Sequence, residues 1–268
     1  MKTSDTKLWD ELWKKDISSY DADSVLSDVE EESASIRCKK ILRYLESSVG
    51  DLSGKRIIEI GCGGGIYSLI FARLGASITM LDYSSDALAI AERNLGALNL
   101  KGELLKADAF NLSAEYLGKY DVAMSFGTVE HYRYPRRLDI CKAHVDVLRS
   151  GGVAIIGTPN IAFLPHEILK VLLVARRKWF LGYEGSFSRG ELLRVGRSLE
   201  LSDVHVVGSS WKSDVRRYVR IVCDTRTFKR LFPTDNQICR SVVPKKPRAH
   251  WLDDFLGHDI VMLGEKIA

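Results

Sequence analysis

Short apolar runs alternate along this chain with longer segments whose apolar residues recur at helical spacing. The run KRIIEI is short and rich in β-branched residues, which favours a buried strand over a helix. The segment IYSLIFARLG follows with helical spacing and stops at Gly75. Further strand-like runs read ASITMLD, LLKADAF, YDVAMSFG, VAIIGTP, LSDVHVVG and HDIVMLGEK. Because strands that alternate with helices build parallel sheets covered on both faces, we predict an α/β fold with a doubly wound, seven-stranded, mostly parallel sheet.

The N-terminal part precedes this alternation. Residues 7–15 place apolar side chains at helical spacing and predict an amphipathic helix. Residues 16–33 are acidic and serine-rich with little periodicity, so we expect a surface connection there. From Ser33 onward the pattern of a second amphipathic helix begins. Its apolar positions are Cys38, Ile41, Leu42 and Leu45.

A glycine-rich turn joins the first strand to the helix after it. Glycines stand at Gly61, Gly63, Gly64 and Gly65. They allow a ligand to approach the backbone closely, and the N-terminus of the following helix offers unpaired N–H groups. A strand, a glycine turn and a helix in this order predict a nucleotide-binding element.

The residues around this turn narrow the choice of nucleotide. A dinucleotide site requires glycine where Ile66 stands, and the Gly-Lys-Ser/Thr sequence of a phosphate-binding loop is absent. The carboxylate of Glu59 would repel a pyrophosphate and suits a ligand with a cationic amino group. Asp82 ends the second strand 21 residues after Gly61, the spacing at which an acid can bind both ribose hydroxyls. An adenosine with an ammonium group and no phosphate describes S-adenosylmethionine.

Five ordered segments resemble the motifs of the class I S-adenosylmethionine-dependent methyltransferases. They are EIGCGGG, LDYS, KADAFNL, YDVAMSFGTVEH and VLRSGGVAIIGTPN, and together they lie within residues 55–160. Within that superfamily, VEH and TPN look like the signature of the small-molecule, quinone-biosynthesis-like group. The resemblance implies a Rossmann-like methyltransferase fold with S-adenosylmethionine as cofactor and S-adenosylhomocysteine as product.

The resemblance also implies roles for individual residues. Asp108 would accept a hydrogen bond from the adenine amino group, the Ala109 amide would read the ring, and Tyr83 would lie against it. The full set of cofactor-binding candidates is Glu59, Gly61, Cys62, Gly63, Asp82, Tyr83, Asp108, Ala109, Ser125 and Phe126. The substrate-binding candidates are Trp13, Tyr132, His166 and Trp179.

A histidine supplies the candidate catalytic group. A sulfonium makes its methyl group strongly electrophilic, so the protein mainly aligns the nucleophile and excludes water. A base is needed when the nucleophile arrives protonated. His131, directly after the fourth strand, is the candidate base; the alternative is a histidine that shapes the cleft. His166 is the second candidate, and packing or substrate contact is favoured for it.

The family pattern assigns the parts of a single domain. Residues 161–185 combine an apolar helix with the basic-aromatic cluster RRKW and stand where the family places a helical substrate lid. The predicted parts of domain 1–268 are N-terminal helices at 1–50, the cofactor-binding core at 51–160, the lid at 161–185 and a C-terminal part at 186–268 with a basic insertion at 211–257.

Composition and residue spacing give no indication of a nucleic-acid-binding, metal-binding or membrane-spanning protein. The hydrophobic fraction of 46% and charged fraction of 28% are typical of a soluble globular protein, and a net charge of +4 does not by itself indicate nucleic acid. The five cysteines lack metal-ligand spacing, so we predict no metal site and reduced thiols in the cytoplasm. The N-terminus shows no signal-peptide apolar region, and Lys170 interrupts the longest aliphatic run.

Function is predicted as methyl transfer to a small molecule, with oxygen favoured over nitrogen as the acceptor atom. The lid cluster is a solvated face, a contact for an acidic substrate, or a peripheral membrane contact for a lipid-like one. The alternatives are an RNA or protein methyltransferase docking through the arginine-rich residues 216–248 and a non-catalytic cofactor-binding module. A nicotinamide-dependent enzyme is disfavoured by Ile66 and Glu59. Nucleic acid is not the expected partner, and the oligomeric state is left open.

Overall fold

The computed structural model describes residues 5–18, 22–224 and 248–267. Its sheet has seven strands in the order β3-β2-β1-β4-β5-β7-β6, with β7 antiparallel to both neighbours and the other pairs parallel. The predicted α/β, doubly wound, mostly parallel sheet is confirmed. The strands are Arg56–Ile60 (β1), Ser77–Asp82 (β2), Glu103–Lys106 (β3), Tyr120–Phe126 (β4), Leu148–Pro159 (β5), Leu201–Gly208 (β6) and Asp259–Lys266 (β7).

Helices cover both faces of this sheet. Alternate residues of each central strand face opposite ways, so Ile57 joins the core beneath α3, α4 and α5 while Ile58 joins the core beneath α6 and α8. The helices are Asp5–Ser18 (α1), Ala22–Ala34 (α2), Ile36–Ser48 (α3), Ile66–Arg73 (α4), Ser85–Ala97 (α5), Arg136–Val147 (α6), Leu164–Ala175 (α7), Arg189–Ser198 (α8), Trp211–Asp224 (α9) and Asp253–Leu256 (α10).

The prediction of a surface connection over residues 16–33 was wrong. Residues Ala22–Ala34 form α2, in which Val25 is 5% exposed and Val29 is fully buried. These two valines lie one helical turn apart and pack with α4 and α5. A stripe this narrow, set among acidic residues and serines, leaves almost no periodic signal, and the helix is stabilised by the neighbouring elements instead.

The next helix forms as predicted. Ser35 is its N-cap, and the Ser35 hydroxyl accepts a hydrogen bond from the Cys38 amide at 2.9 Å. Cys38, Ile41 and Leu45 are buried, and Leu42 packs partly buried against the same core. Helix α3 therefore packs against one face of the sheet and supports β1, the strand that leads into the glycine turn.

The insertion after β5 forms α7, and the chain returns to the sheet through a bridge between Asn160 and Phe187. His166 is the one buried residue of α7, so most of this helix faces outward. Of the basic insertion 211–257, residues 211–224 form α9 and residues 248–257 lead into β7, whereas residues 225–247 lie outside the described part. No helix in the described ranges is long and apolar enough to cross a bilayer.

Candidate active site

A cavity of about 750 Å³ opens at the carboxyl ends of β1, β2 and β4. Its walls come from α1, the glycine turn, the ends of β2 and β3, the loop after β4 and the start of α6. Tyr183, which follows the lid helix, closes one side. Ligands of open α/β sheets bind at this edge, where loops from several strands meet.

The glycine turn takes its shape from residues with positive φ. Gly61 has φ 67° and Gly63 has φ 50°, conformations that side chains with a Cβ rarely adopt. The amides of Gly61 and Cys62 both donate to the Leu81 carbonyl, at 2.8 and 3.0 Å. A Cβ at Gly61 would lie 2.7 Å from the Thr128 side chain, so this position has room for glycine alone.

Asp82 connects the glycine turn to the end of β2. Its carboxylate accepts hydrogen bonds from the amides of Gly63 and Ser84, at 3.1 and 2.9 Å. The side chain lines the cavity although the residue is only 4% exposed. Burial raises the pKa of this carboxyl, even though the hydrogen bonds from the two amides lower it. A carboxylate fixed in this way can accept hydrogen bonds from two neighbouring hydroxyl groups.

Glu59 does not line this cavity. It is 4% exposed, and its carboxylate accepts hydrogen bonds from the Ser68 amide and hydroxyl at 3.2 and 2.6 Å. Burial raises its pKa to about 7, although the hydrogen bonds from Ser68 lower it. The carboxylate binds the first turn of α4, behind the glycine turn and away from the cavity. A direct contact between Glu59 and a cationic amino group of the ligand therefore stays a prediction.

Tyr83, Asp108 and Ala109 lie on the wall of the cavity beyond Asp82. The Asp108 carboxylate accepts hydrogen bonds from the Phe110 amide and the Asn111 side chain, each at 3.0 Å. These bonds fix the loop after β3 across the cavity from the glycine turn. The three residues predicted to surround adenine are thus brought to one side of the cavity.

Helix α1 covers the glycine turn. A Cβ at Gly63 would lie 2.7 Å from the ring of Trp13, so the indole rests directly on the glycine backbone. The ring of Trp9 stacks with Trp13 at 6.3 Å and meets the His131 imidazole edge-on at 4.7 Å between centroids. The predicted position of Trp13 beside the cleft agrees with this placement.

His131 and Tyr132 reach the cavity from the loop after β4. The Nδ1 atom of His131 lies 2.8 Å from the backbone carbonyl of Tyr183. A carbonyl can only accept a hydrogen bond, so Nδ1 carries the proton and Nε2 carries the lone pair of the neutral ring. This tautomer is the one that can accept a proton at Nε2.

Besides Glu59 and Gly63, three more cofactor-binding candidates do not lie on the cavity wall. Cys62 is buried beneath the glycine turn, and burial raises the pKa of its thiol. Ser125 is fully buried, and Phe126 stacks on Tyr67 with ring centroids 3.6 Å apart. Side chains alternate along β4, so residues near its end pack into the sheet faces while the loop beyond it reaches the cavity.

His166 and Trp179, two of the substrate-binding candidates, do not line the cavity. The two ring nitrogens of His166 lie 2.8 Å from the Tyr218 hydroxyl and from the Glu184 carboxylate. The Trp179 indole donates to the Gly182 carbonyl at 3.0 Å. Trp179 is hydrogen-bonded within the lid, and His166 is hydrogen-bonded to the lid and to α9, so this placement does not support direct substrate binding by them.

A chain of polar contacts links the lid to the sheet, and the sequence did not indicate it. Each link, from the lid inward, is 2.7 to 3.0 Å long. Asp259 has its pKa lowered, because the Arg37 guanidinium outweighs the effect of burial. The members in order are Glu184, His166, Tyr218, His258, Asp259 and Arg37.

Glu130, beside His131, is a second feature that the sequence did not explain. It is 2% exposed, and Oε2 has no hydrogen-bond partner among the described residues. Burial raises its pKa to about 8, with a further contribution from Glu184.

The described residues contain no group of three His, Cys, Asp or Glu side chains that could hold a metal ion.

Comparisons with known proteins agree with this geometry. The profile of a family described as a methyltransferase domain matches residues 57–152. A ubiquinone biosynthesis O-methyltransferase from Leptothrix cholodnii is 30% identical over 186 residues, which cover 66% of this chain and 77% of the relative. The corresponding enzyme from Aromatoleum aromaticum is 33% identical over 63% of this chain and 73% of its own length. Against the Shewanella pealeana enzyme, 31% identical over 44% of this chain, the match spans half of the relative's length.

Solved structures give the same fold. Magnesium protoporphyrin IX methyltransferase from Synechocystis, solved with bound S-adenosylhomocysteine, has a TM-score of 0.56 at 12% identity and covers 89% of this chain and 84% of its own. A putative methyltransferase from Bacillus halodurans has a TM-score of 0.54 at 14% identity, with coverage of 85% and 99%. At these identities the likeness is one of fold.

Proposed function

Because the chain belongs to the class I S-adenosylmethionine-dependent methyltransferases, we propose that it transfers a methyl group from S-adenosylmethionine to an oxygen atom of a small-molecule acceptor. The observation that carries this proposal is the position of Asp82. Its buried carboxylate lies on the wall of a cavity that also contains His131. One cavity thus combines a ribose-type binding group with a proton acceptor.

The residues of the cavity fit this cofactor. Asp82 offers acceptors for two ribose hydroxyls, and Tyr83, Asp108 and Ala109 surround the space beside it. The cavity has no Gly-Lys-Ser/Thr turn for a phosphate, which suits a nucleoside ligand without one. When bound, the cofactor supplies an electrophilic methyl group on a sulfonium.

His131 would accept the proton of an acceptor hydroxyl at Nε2. The Tyr183 carbonyl keeps the proton on Nδ1 and fixes the orientation of the ring. Trp9 and Trp13 cover the same space and exclude water. An oxygen nucleophile becomes far stronger once it is deprotonated, so this arrangement favours a hydroxyl acceptor over an amine.

The names of the relatives support oxygen as the acceptor atom. Ubiquinone biosynthesis O-methyltransferases from several bacteria match this chain, and they act on a small molecule by their names. Docking of RNA or protein through residues 216–248 is not favoured by these relatives. Most of that segment also lies outside the described residues.

Thermal unfolding tests the cofactor first. We expect S-adenosylmethionine and S-adenosylhomocysteine to raise the midpoint and NAD to leave it unchanged. A ligand at about 100 times its dissociation constant adds roughly 2.7 kcal/mol. The Asp82→Asn variant should lose the shift, whereas Asp28→Asn, an exposed aspartate of α2, should keep it. A midpoint that no adenosyl ligand moves would refute the proposal.

The lid carries the second part of the proposal, a lipid-like acceptor reached by peripheral contact with a membrane. Ile168, Val171, Leu172 and Val174 of α7 are 48 to 64% exposed, and the basic sequence RRK follows directly. An exposed apolar helix face beside basic residues suits the surface of an anionic bilayer. This contact would bring a hydrophobic acceptor to the cavity.

Co-sedimentation with vesicles tests the contact. At low salt we expect the chain to sediment with phosphatidylglycerol vesicles and to stay in solution with phosphatidylcholine vesicles. Val171→Glu should abolish sedimentation, and Leu117→Glu, which changes an exposed leucine outside the lid, should not. Unchanged sedimentation of the Val171 variant would remove the lid from the interaction.

The cytoplasm remains our proposed compartment. Cys38, Cys62 and Cys141 are free and buried, and unpaired thiols suit a reducing environment. Quantitative labelling of all cysteines in the denatured protein, isolated with a thiol block, would test this. Any disulfide found would argue for an oxidising compartment.

A further inference from the structure

Two arginines of the cavity wall pair with no carboxylate among the described residues. Arg133 and Arg136 line the cavity near the start of α6, and both are exposed. No salt bridge joins either of them to a carboxylate among the side chains that the structure describes. Their neighbour Arg137, in contrast, is 5% exposed and pairs with Glu191 at 3.1 Å. The same short segment therefore contains one structural arginine and two that are available to a ligand.

Aromatic rings hold both guanidinium groups at the cavity. The Arg133 guanidinium lies 3.7 Å from the centre of the Tyr183 ring, and the Arg136 guanidinium lies 4.2 Å from the centre of the Phe110 ring. Both rings line the cavity as well. Stacking on a ring orients the planar group and leaves its N–H edge open to hydrogen bonds.

The acids of the cavity do not neutralise these arginines. Asp82 accepts hydrogen bonds from Gly63 and Ser84, and Asp108 accepts them from its own loop. The N-terminus of α6 begins at Arg136, so its unpaired N–H groups add to the positive potential. This side of the cavity therefore has an excess of positive charge.

Resting on the proposed methyl transfer, we propose that Arg133 and Arg136 form a subsite for an anionic group of the acceptor, a carboxylate or a phosphate. A guanidinium binds either group through paired N–H···O bonds. The rings of Tyr132, Phe110 and Tyr183 line the same space, so the anion would be carried on an aromatic or similarly flat body. The acceptor hydroxyl would then face His131.

Titration calorimetry on the full chain with S-adenosylhomocysteine at saturation tests this subsite. Three probes of matched shape are 4-hydroxybenzoate, 4-hydroxyphenyl phosphate and 4-hydroxybenzyl alcohol. We expect the anions to bind at least about tenfold more tightly than the alcohol, a difference of roughly 1.4 kcal/mol. The stronger anion identifies whether a carboxylate or a phosphate is preferred.

Variants decide whether the two arginines are responsible. The double variant Arg133→Gln/Arg136→Gln should lose the preference for anions, and Arg197→Gln, an exposed arginine of α8, should retain it. Equal affinity for all three probes, no anion binding at about 10 mM, or a preserved preference in the double variant would overturn the subsite.

The cofactor titration separates this failure from that of the proposed function. If S-adenosylhomocysteine does not bind, the methyl-transfer proposal fails, and titration of the probes into the protein alone still decides the subsite. If it binds to the parent chain but weakly to the double variant, the arginines hold the cofactor carboxylate, and the acceptor subsite is refuted.

Discussion

The two sides of the cavity are built in different ways. On the cofactor side, the glycine turn and Asp82 come from consecutive elements and bind each other through backbone amides. On the acceptor side, His131 depends on Tyr183, which lies 52 residues further along the chain and follows the lid helix. One side is thus fixed by local sequence, and the other is assembled from distant parts.

Because of this difference, cofactor affinity and turnover should depend on different sides of the cavity. The cofactor side has a buried carboxylate, Asp82, that accepts hydrogen bonds from the backbone of the glycine turn and of the segment after β2, so groups of the protein fix its position. The acceptor side holds two exposed arginines, an outward-facing apolar helix and the chain of polar contacts that links the lid to the sheet. We therefore expect mutations on one side to change cofactor affinity and mutations on the other to change turnover.

Replacing His131 separates the two sides most strongly. His131→Asn removes the proton acceptor at Nε2, so we expect the turnover number to fall by roughly 10² to 10⁴. The affinity for S-adenosylhomocysteine should change less than about twofold, because Asp82 and the glycine turn are intact. Single-turnover kinetics and calorimetry measure the two quantities. A normal turnover number would show that His131 only shapes the cleft.

Glu130 should make stability depend on pH on the acceptor side. The unfolded carboxyl loses its proton near pH 4.5, whereas the folded one keeps it up to about pH 8. Between these values the folded protein binds the extra proton, so rising pH favours unfolding by about 1.4 kcal/mol per pH unit. Glu130→Gln should lower the measured slope by this amount and leave the contribution of Glu59, as measured by urea unfolding from pH 5 to 8.

Exposed Glu46 provides the control for that experiment, because Glu46→Gln leaves the buried carboxyl in place. Its pH dependence should equal that of the parent chain. A Glu130→Gln variant with the parent slope would mean that Glu130 is ionised in the folded protein.

Replacement of Glu184 should have the smallest effect on turnover. Its carboxylate binds His166 at 2.8 Å and lies 3.6 Å from Lys170, next to the carbonyl that orients His131. Glu184→Gln weakens a charged hydrogen bond, so we expect turnover to fall by about tenfold. The pH profile of turnover should shift as well, whereas cofactor affinity should not. An unshifted profile would leave Glu184 with a purely structural role, and Glu200→Gln, at an exposed position outside the lid, is the control.

The parts that could be predicted from sequence are those in which neighbours in sequence are neighbours in space. Gly61 and Asp82 are separated by one βα unit along the chain, so the spacing alone predicted that both would lie at the same edge of the sheet. The spacing did not indicate the direction in which the side chain of Glu59 points. Glu59 is at the expected position, but its side chain binds Ser68 behind the turn, and no spacing rule distinguishes the two directions.

Long-range contacts account for the remaining differences. Tyr183 meets His131 only because the lid folds back over the loop after β4, and no local pattern encodes that approach. His166 was chosen as a substrate residue because it stands in the lid, yet its two nitrogens are bound by Glu184 and Tyr218. Helix α2 was missed for a related reason, since Val29 is buried by other elements.

The contact between Trp9 and His131 gives the protein a built-in optical reporter. A protonated imidazole quenches the emission of an indole beside it more strongly than a neutral one does, and these two rings lie 4.7 Å apart. Although the chain has five tryptophans, subtracting the emission of Trp9→Phe from that of the parent isolates the one at this contact. The brightness of that signal across a pH titration would report the protonation of His131 directly, without acceptor, cofactor or added dye.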